Sequence, residues 1–239
     1  MLILGLNKTT LLDYPEHVAA TIFTGGCNFR CPFCHNKDIV FAHESMAAQL
    51  VTPYTEEEIL AFLKKRAGII TGVCITGGEP TLQKDLPDFL ARIKELGLLV
   101  KLDTNGYQPD ILRHLLNKGL IDYCAMDIKN SPDKYAVTAG LSSCKISLIQ
   151  ESVSCLLSMT GHIPYEFRTT LVRELHTKDD MYVISEWLKG AASFYLQSYT
   201  DSQQVITKGF HAHSEETLKE FLTICRNNIP NTHLRGIEL

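Results

Sequence analysis

The chain has 239 residues, with 23 Lys and Arg against 27 Asp and Glu, and carries a formal charge of −4 at pH 7. With 45% hydrophobic and 21% charged residues it holds enough apolar material for a packed core, which excludes a disordered chain. There is no basic surplus for nucleic acid, no apolar run of the roughly 18–20 residues that span a bilayer, and no basic region ahead of the greasy opening MLILGLNK. These features predict a single soluble, cytoplasmic domain over residues 1–239, with neither nucleic acid nor membrane as partner.

Short apolar strands alternate with amphipathic helices along the chain. Val18–Thr24 is the first predicted strand. Thr55 and Glu58 form a capping-box pattern before a helix with Ile59, Phe62 and Leu63 on one face. Val73–Thr76 reads as a short buried strand, and Leu86, Phe89, Leu90, Ile93 and Leu96 mark a helix that Gly97 stops. Leu98–Leu102 is the third strand. Pro109 then opens a helix carrying Ile111, Leu112, Leu115 and Leu116, closed by Gly119. Ile121–Met126 is the fourth strand, 143–158 a helix, Tyr165–Leu171 the fifth strand, 179–188 a helix and 192–197 the sixth strand. Ser214 caps a last helix with Leu218, Phe221, Leu222 and Cys225.

Six strands alternating with helices predict an α/β fold with a parallel sheet covered by helices. The count falls short of a closed barrel, so the expected architecture is a partial (βα)6 TIM-like barrel, open on one side. In such folds chemistry belongs at the carboxyl ends of the strands, which tests each motif by its position.

Eight cysteines are present, and three cluster as Cys27, Cys31 and Cys34 in GGCNFRCPFCHN, directly after the first strand. The CxxxCxxC spacing lets one loop turn three thiolates toward a common point, and three thiolates leave one iron of a cubane cluster open. Zinc with His35 as a further ligand, or three unrelated core thiols, are the alternatives. The other five cysteines are single and read as small apolar core residues. Thr76-Gly77-Gly78-Glu79-Pro80 follows the second strand, where two glycines allow close backbone approach and a carboxylate can accept bonds from an ammonium group.

CNFRCPFCHN resembles the CxxxCxΦC signature of radical S-adenosylmethionine (SAM) enzymes, with Phe33 at Φ, and its His35-Asn36 ending resembles that of glycyl-radical-enzyme activases. The resemblance implies the radical SAM type of partial barrel, with a 4Fe–4S cluster on Cys27, Cys31 and Cys34 whose fourth iron is chelated by SAM. Phe33 and His35 would border the adenine, and Gly77, Gly78 and Glu79 would hold the SAM amino group. Asp103-Thr104-Asn105-Gly106 resembles the DTNG of the activases, placing Asp103 and Thr104 near the methionyl part of SAM. Asp127 and Lys129 resemble the family's DxK, Arg168 an arginine that pairs with the SAM carboxylate, and Gln197 a polar residue near the ribose.

Residues 5–31 look like the longer type of anaerobic ribonucleoside-triphosphate reductase activating protein, with Leu12-Asp13-Tyr14-Pro15 as the cue; Thr24-Gly25 departs from the polar residues usual there. The implied activity is reductive cleavage of SAM to a 5′-deoxyadenosyl radical that generates a glycyl radical on a partner enzyme, most simply that reductase. An external one-electron reductant such as flavodoxin or ferredoxin is implied. Rival readings are activation of another glycyl radical enzyme of the pyruvate formate-lyase type, a small-molecule radical SAM reaction such as that of a 7-carboxy-7-deazaguanine synthase, and a zinc or electron-carrier module.

Overall fold

A computed structural model describes residues 1–42 and 52–237. Its strands are β1 (Ile3–Thr10), β2 (Ala19–Thr24), β3 (Gly72–Gly77), β4 (Leu99–Thr104), β5 (Tyr123–Asp127), β6 (Tyr165–Leu171), β7 (Phe194–Ser198) and β8 (Thr232–Arg235). The helices are α1 (Lys37–Val40), α2 (Glu56–Arg66), α3 (Leu86–Glu95), α4 (Pro109–Asn117), α5 (Tyr135–Thr138), α6 (Ile146–Ser158), α7 (Lys178–Trp187) and α8 (Glu215–Arg226). Strand order in the sheet follows chain order from β1 to β8, the α/β partial-barrel topology expected.

The chain divides into two compact units. One comprises 1–28 and 36–124, the other 29–35 and 125–239, so the chain passes between them twice at the cysteine loop and once within β5. In the first unit β1 and β2 form an antiparallel hairpin, and β2, β3 and β4 pair in parallel, with Thr21, Cys74 and Lys101 in one row. β2 and β3 are buried along most of their length, which suits parallel strands with both faces covered. Ile59 and Leu63 of α2, Phe89, Leu90 and Ile93 of α3, and Leu112 and Leu115 of α4 have no exposed surface, each contributing about 1.5–3 kcal/mol of burial. The Thr55–Glu58 capping box is formed as predicted. In the second unit β6, β7 and β8 pair in parallel, in rows Arg168–Tyr195–His233 and Thr170–Gln197–Arg235. Ser214 caps α8, and a second capping box, Thr177 with Asp180, opens α7.

Among the described residues, eight strands replace the predicted six. β1 alternates poorly, its LNKTT half being polar and partly exposed, so only its greasy start registers in the sequence. β8 has four residues, THLR, and no apolar run. β4 continues through Asp103 and Thr104, and β5 starts at Tyr123 and includes Asp127, so these carboxylates sit on the last turns of strands rather than beyond them. α6 starts at Ile146 rather than 143.

β8 is held by chemistry rather than apolar pattern. Arg235 donates two parallel bonds to buried Glu166, at 2.9 and 3.0 Å, and its guanidinium lies 3.4 Å over the Tyr195 ring. Removing the cation takes the bidentate partner from a buried carboxylate. Arg235→Ala should therefore cost about 2–3 kcal/mol in urea unfolding, less than a fully buried pair because the Arg235 side chain is 35% exposed. Lys219→Ala, which breaks only an exposed helical pair, should cost under about 0.5 kcal/mol.

Candidate active site

In the first unit the loop after β3 is zipped onto the segment leading to Cys27. Gly78 N–H donates to Thr24 O at 2.8 Å and Glu79 N–H to Gly26 O at 2.9 Å. A Cβ on Gly78 would lie 1.9 Å from Gly26 O, so this approach admits glycine alone. Glu79 is 1% exposed. Its Oε1 accepts from Thr81 N–H at 3.1 Å, Thr81 Oγ1 at 2.5 Å and Thr104 Oγ1 at 2.7 Å, and its Oε2 accepts from Asn105 N–H at 2.6 Å. Burial pushes the Glu79 carboxyl up, and these four donors oppose that shift. One carboxylate thus joins the GGE and DTNG segments. Asp103 pairs with the buried ammonium of Lys101, which stands 3.8 Å from Cys74 Sγ.

In the second unit the backbone around Cys31 and Cys34 is clasped from two sides. Arg30 N–H donates to Ala139 O at 2.9 Å, and Gly140 approaches Arg30 O so closely that a Cβ would stand 2.0 Å from it. The segment after β7 supplies Ile206 N–H to Cys34 O at 3.2 Å and Thr207 N–H to Pro32 O at 2.8 Å. His35 Nε2 bonds Thr200 O at 2.6 Å, and its ring tilts against Tyr199 at 5.8 Å. Phe33 is buried. Burial pushes the Cys31 thiol up to about 11, with the Lys129 ammonium opposing, so binding a metal there must expel a proton.

At the end of β5, Asp127 bridges two cations, Lys129 just beyond the strand and Arg168 in the middle of β6. Lys129 Nζ lies 3.0 Å from its Oδ2 and Arg168 Nε 2.9 Å from its Oδ1. Burial alone would raise the Asp127 carboxyl, but Arg168 and Lys129 outweigh it and hold it below the usual range. Burial likewise opposes the Lys129 charge, and Asp127 overrides it. Lys129 and Arg168 thus stand on the two oxygens of one carboxylate. Gln197 is half-buried on the row between Thr170 and Arg235.

His176 belongs to this arrangement and carries no sequence signal, since the histidines show no paired motif. It is 1% exposed. Its Nε2 lies 2.7 Å from Lys129 O and so carries the proton, leaving Nδ1 to accept from Val172 N–H at 3.1 Å. Asn105 was legible only as part of the DTNG segment, and Asn28 only as a residue between cysteines.

Of the eight cysteines, Cys31, Cys74, Cys124 and Cys225 are buried and Cys27, Cys34, Cys144 and Cys155 half-buried. Among the described residues no three His, Cys, Asp or Glu side chains stand as ligands to one ion. The donor set nonetheless fits an iron–sulfur cluster. Three soft thiols share one loop, and the Nδ2 of Asn28, next to Cys27, is buried with no acceptor.

The family model described as the Radical SAM superfamily matches residues 21–141. The chain belongs to the radical SAM superfamily. It is therefore a radical SAM enzyme, whose cofactors are a 4Fe–4S cluster and SAM. This radical SAM chain is 32% identical to a Methanocaldococcus jannaschii protein provisionally named as a glycyl-radical enzyme activating enzyme, over 99% of this chain and 96% of that one. It is 30% identical to the pyruvate formate-lyase-activating enzyme of Streptococcus mutans, over 70% of this chain and 65% of that one. Its fold matches a radical SAM methyltransferase from Sphaerobacter thermophilus with a TM-score of 0.69 at 17% identity, covering 93% of this chain and 67% of the other. Among the described residues no helix is long and apolar enough to cross a membrane.

Burial holds His176 down to about 4 against an ordinary 6.5, although its bonds to Lys129 and Val172 oppose the shift. Between those values the unfolded chain binds a proton that the folded chain rejects. Stability from this group is complete above about pH 6.5 and declines toward pH 4, by up to about 3 kcal/mol. Urea unfolding of the apo-protein between pH 7 and 4.5 should show that decline, and His176→Gln should be less stable at pH 7 with a flatter slope.

Proposed function

We propose that this radical SAM enzyme activates a glycyl radical enzyme, and that its partner is anaerobic ribonucleoside-triphosphate reductase. The activase reading is carried by the similarity to the M. jannaschii protein over nearly the whole of both chains. The reductase is favoured by the Leu12-Asp13-Tyr14-Pro15 segment. Here Asp13 Oδ2 accepts from Thr21 Oγ1 at 2.5 Å and Tyr14 packs edge-on against His17 and Tyr123, while Leu12 is 90% exposed.

In this reading Cys27, Cys31 and Cys34 hold the 4Fe–4S cluster. Fed by an external one-electron reductant such as flavodoxin or ferredoxin, the bound cofactors supply the 5′-deoxyadenosyl radical that takes a hydrogen atom from a partner glycine. The chain's own residues bind and orient. Lys129 and Arg168, which flank Asp127, receive the SAM carboxylate. Glu79 Oε2, with one donor against three on Oε1, keeps a lone pair for the SAM ammonium beside Gly77 and Gly78. Asp103 and Thr104 border the methionyl chain and Gln197 the ribose. His35, pinned through Thr200, and buried Phe33 form a fixed wall for adenine. Rigid placement and water exclusion protect a reactive species from side reactions.

The test is electron paramagnetic resonance of reduced, iron-loaded protein mixed anaerobically with SAM and the purified reductase. A doublet from a glycine radical on the reductase is expected. Cys31→Ala should lose both iron and signal, whereas Cys225→Ala should keep both. A doublet on a pyruvate formate-lyase-type enzyme and none on the reductase would retain the chemistry and overturn the partner.

A further inference from the structure

Three groups at the Cys27 end of the first unit form a chain of amides with a forced direction. The Oδ1 of Asn105 accepts from Tyr107 N–H at 3.0 Å, closing a turn on its own backbone. Its Nδ2 must therefore face the other way, and it lies 2.8 Å from Asn28 Oδ1 and 3.9 Å from Cys27 Sγ. Because Asn28 Oδ1 is thereby taken as an acceptor, the Asn28 amide orientation follows as well, which leaves its Nδ2 the buried atom with no acceptor. The backbone N–H of Asn105 is locked on Glu79 Oε2 at 2.6 Å, so the side chain starts from a fixed point. As a thiol, Cys27 sits 3.9 Å from Asn28 Oδ1 and can donate to it. As a thiolate it only accepts, and Asn105 Nδ2 is a donor in reach.

We propose that Asn105 and Asn28 are positioning residues that set the reduction potential of the cluster, Asn105 by donating an N–H to the Cys27 sulfur and Asn28 by presenting its remaining N–H to a sulfur of the bound group. The inference rests on Cys27 being a cluster ligand. An N–H directed at a ligand sulfur withdraws electron density, and it stabilises the reduced, more negative cluster more than the oxidised one. The pair therefore makes reduction easier. A buried amide without a partner costs stability unless something supplies its acceptor, which accounts for the orphaned Asn28 Nδ2. Both residues depend on the turn at Tyr107, so their effects are coupled: without Asn105, Asn28 is free to rotate.

The experiment is a redox titration of anaerobically reconstituted protein, followed by paramagnetic resonance of the reduced cluster, with iron counted in parallel. Asn105→Ala and Asn28→Ala should keep four irons yet shift the one-electron equilibrium about three- to tenfold toward the oxidised form, at most ~59 mV more negative. Asn105→Ser, which can keep the turn but lacks the amide donor, should shift it equally. Adding Asn28→Ala to Asn105→Ala should change little more, because the two act as one unit. Unchanged potentials with four irons in place would overturn the proposal. So would loss of the cluster from all three single variants, which would assign the pair to assembly. A wild-type protein that takes up no cluster would fail the ligand assignment itself, before any variant is compared.

Discussion

A carboxylate taken out of water must have its lone pairs filled by donors, and Glu79 meets that demand with four of them. Two come from Thr81, on its own side, and two from Thr104 and Asn105 at the end of β4. The consequence is mechanical: the loop after β3 and the loop after β4 cannot move independently without leaving a buried charge exposed to an apolar surrounding. Gly78 adds a second constraint, since its contact with Gly26 O brings the same loop against the segment that delivers Cys27. The geometry of Cys27, Asn28 and Asn105 follows from this one buried group and the two backbones tied to it.

The second unit solves the same problem with opposite charges. Asp127 is surrounded by Lys129 and Arg168, which keep it ionised, and Glu166 takes two bonds from Arg235. Glu79 is met by hydroxyl and amide donors, whereas Asp127 is met by two cations.

His176 shows how a residue without chemistry of its own serves such a site. Kept neutral by burial, it has one donor and one acceptor, and it spends them on Lys129 O and Val172 N–H. It thereby joins the backbone after β5 to the backbone after β6. Its neutrality is the condition for that link, since a protonated ring loses the acceptor that Val172 needs.

Much of this was written in the sequence at short range. The cysteine spacing, the glycine pair before Glu79 and the strand–helix alternation are properties of residues a few positions apart, so the partial barrel was legible without coordinates, and the cofactors through the family that those motifs resemble. β1 and β8 were not. β1 acquires its strand only from pairing with β2, and β8 from the Arg235–Glu166 pair, a contact 69 positions apart that no local pattern encodes. The same holds within the site. The sequence determined which side chains stand at the strand ends, because covalent spacing and period do that. Tertiary structure alone decided that Glu79 joins two loops, that His176 reaches Lys129 and that the Asn105 amide faces Cys27, because hydrogen-bond direction depends on groups brought together only by folding.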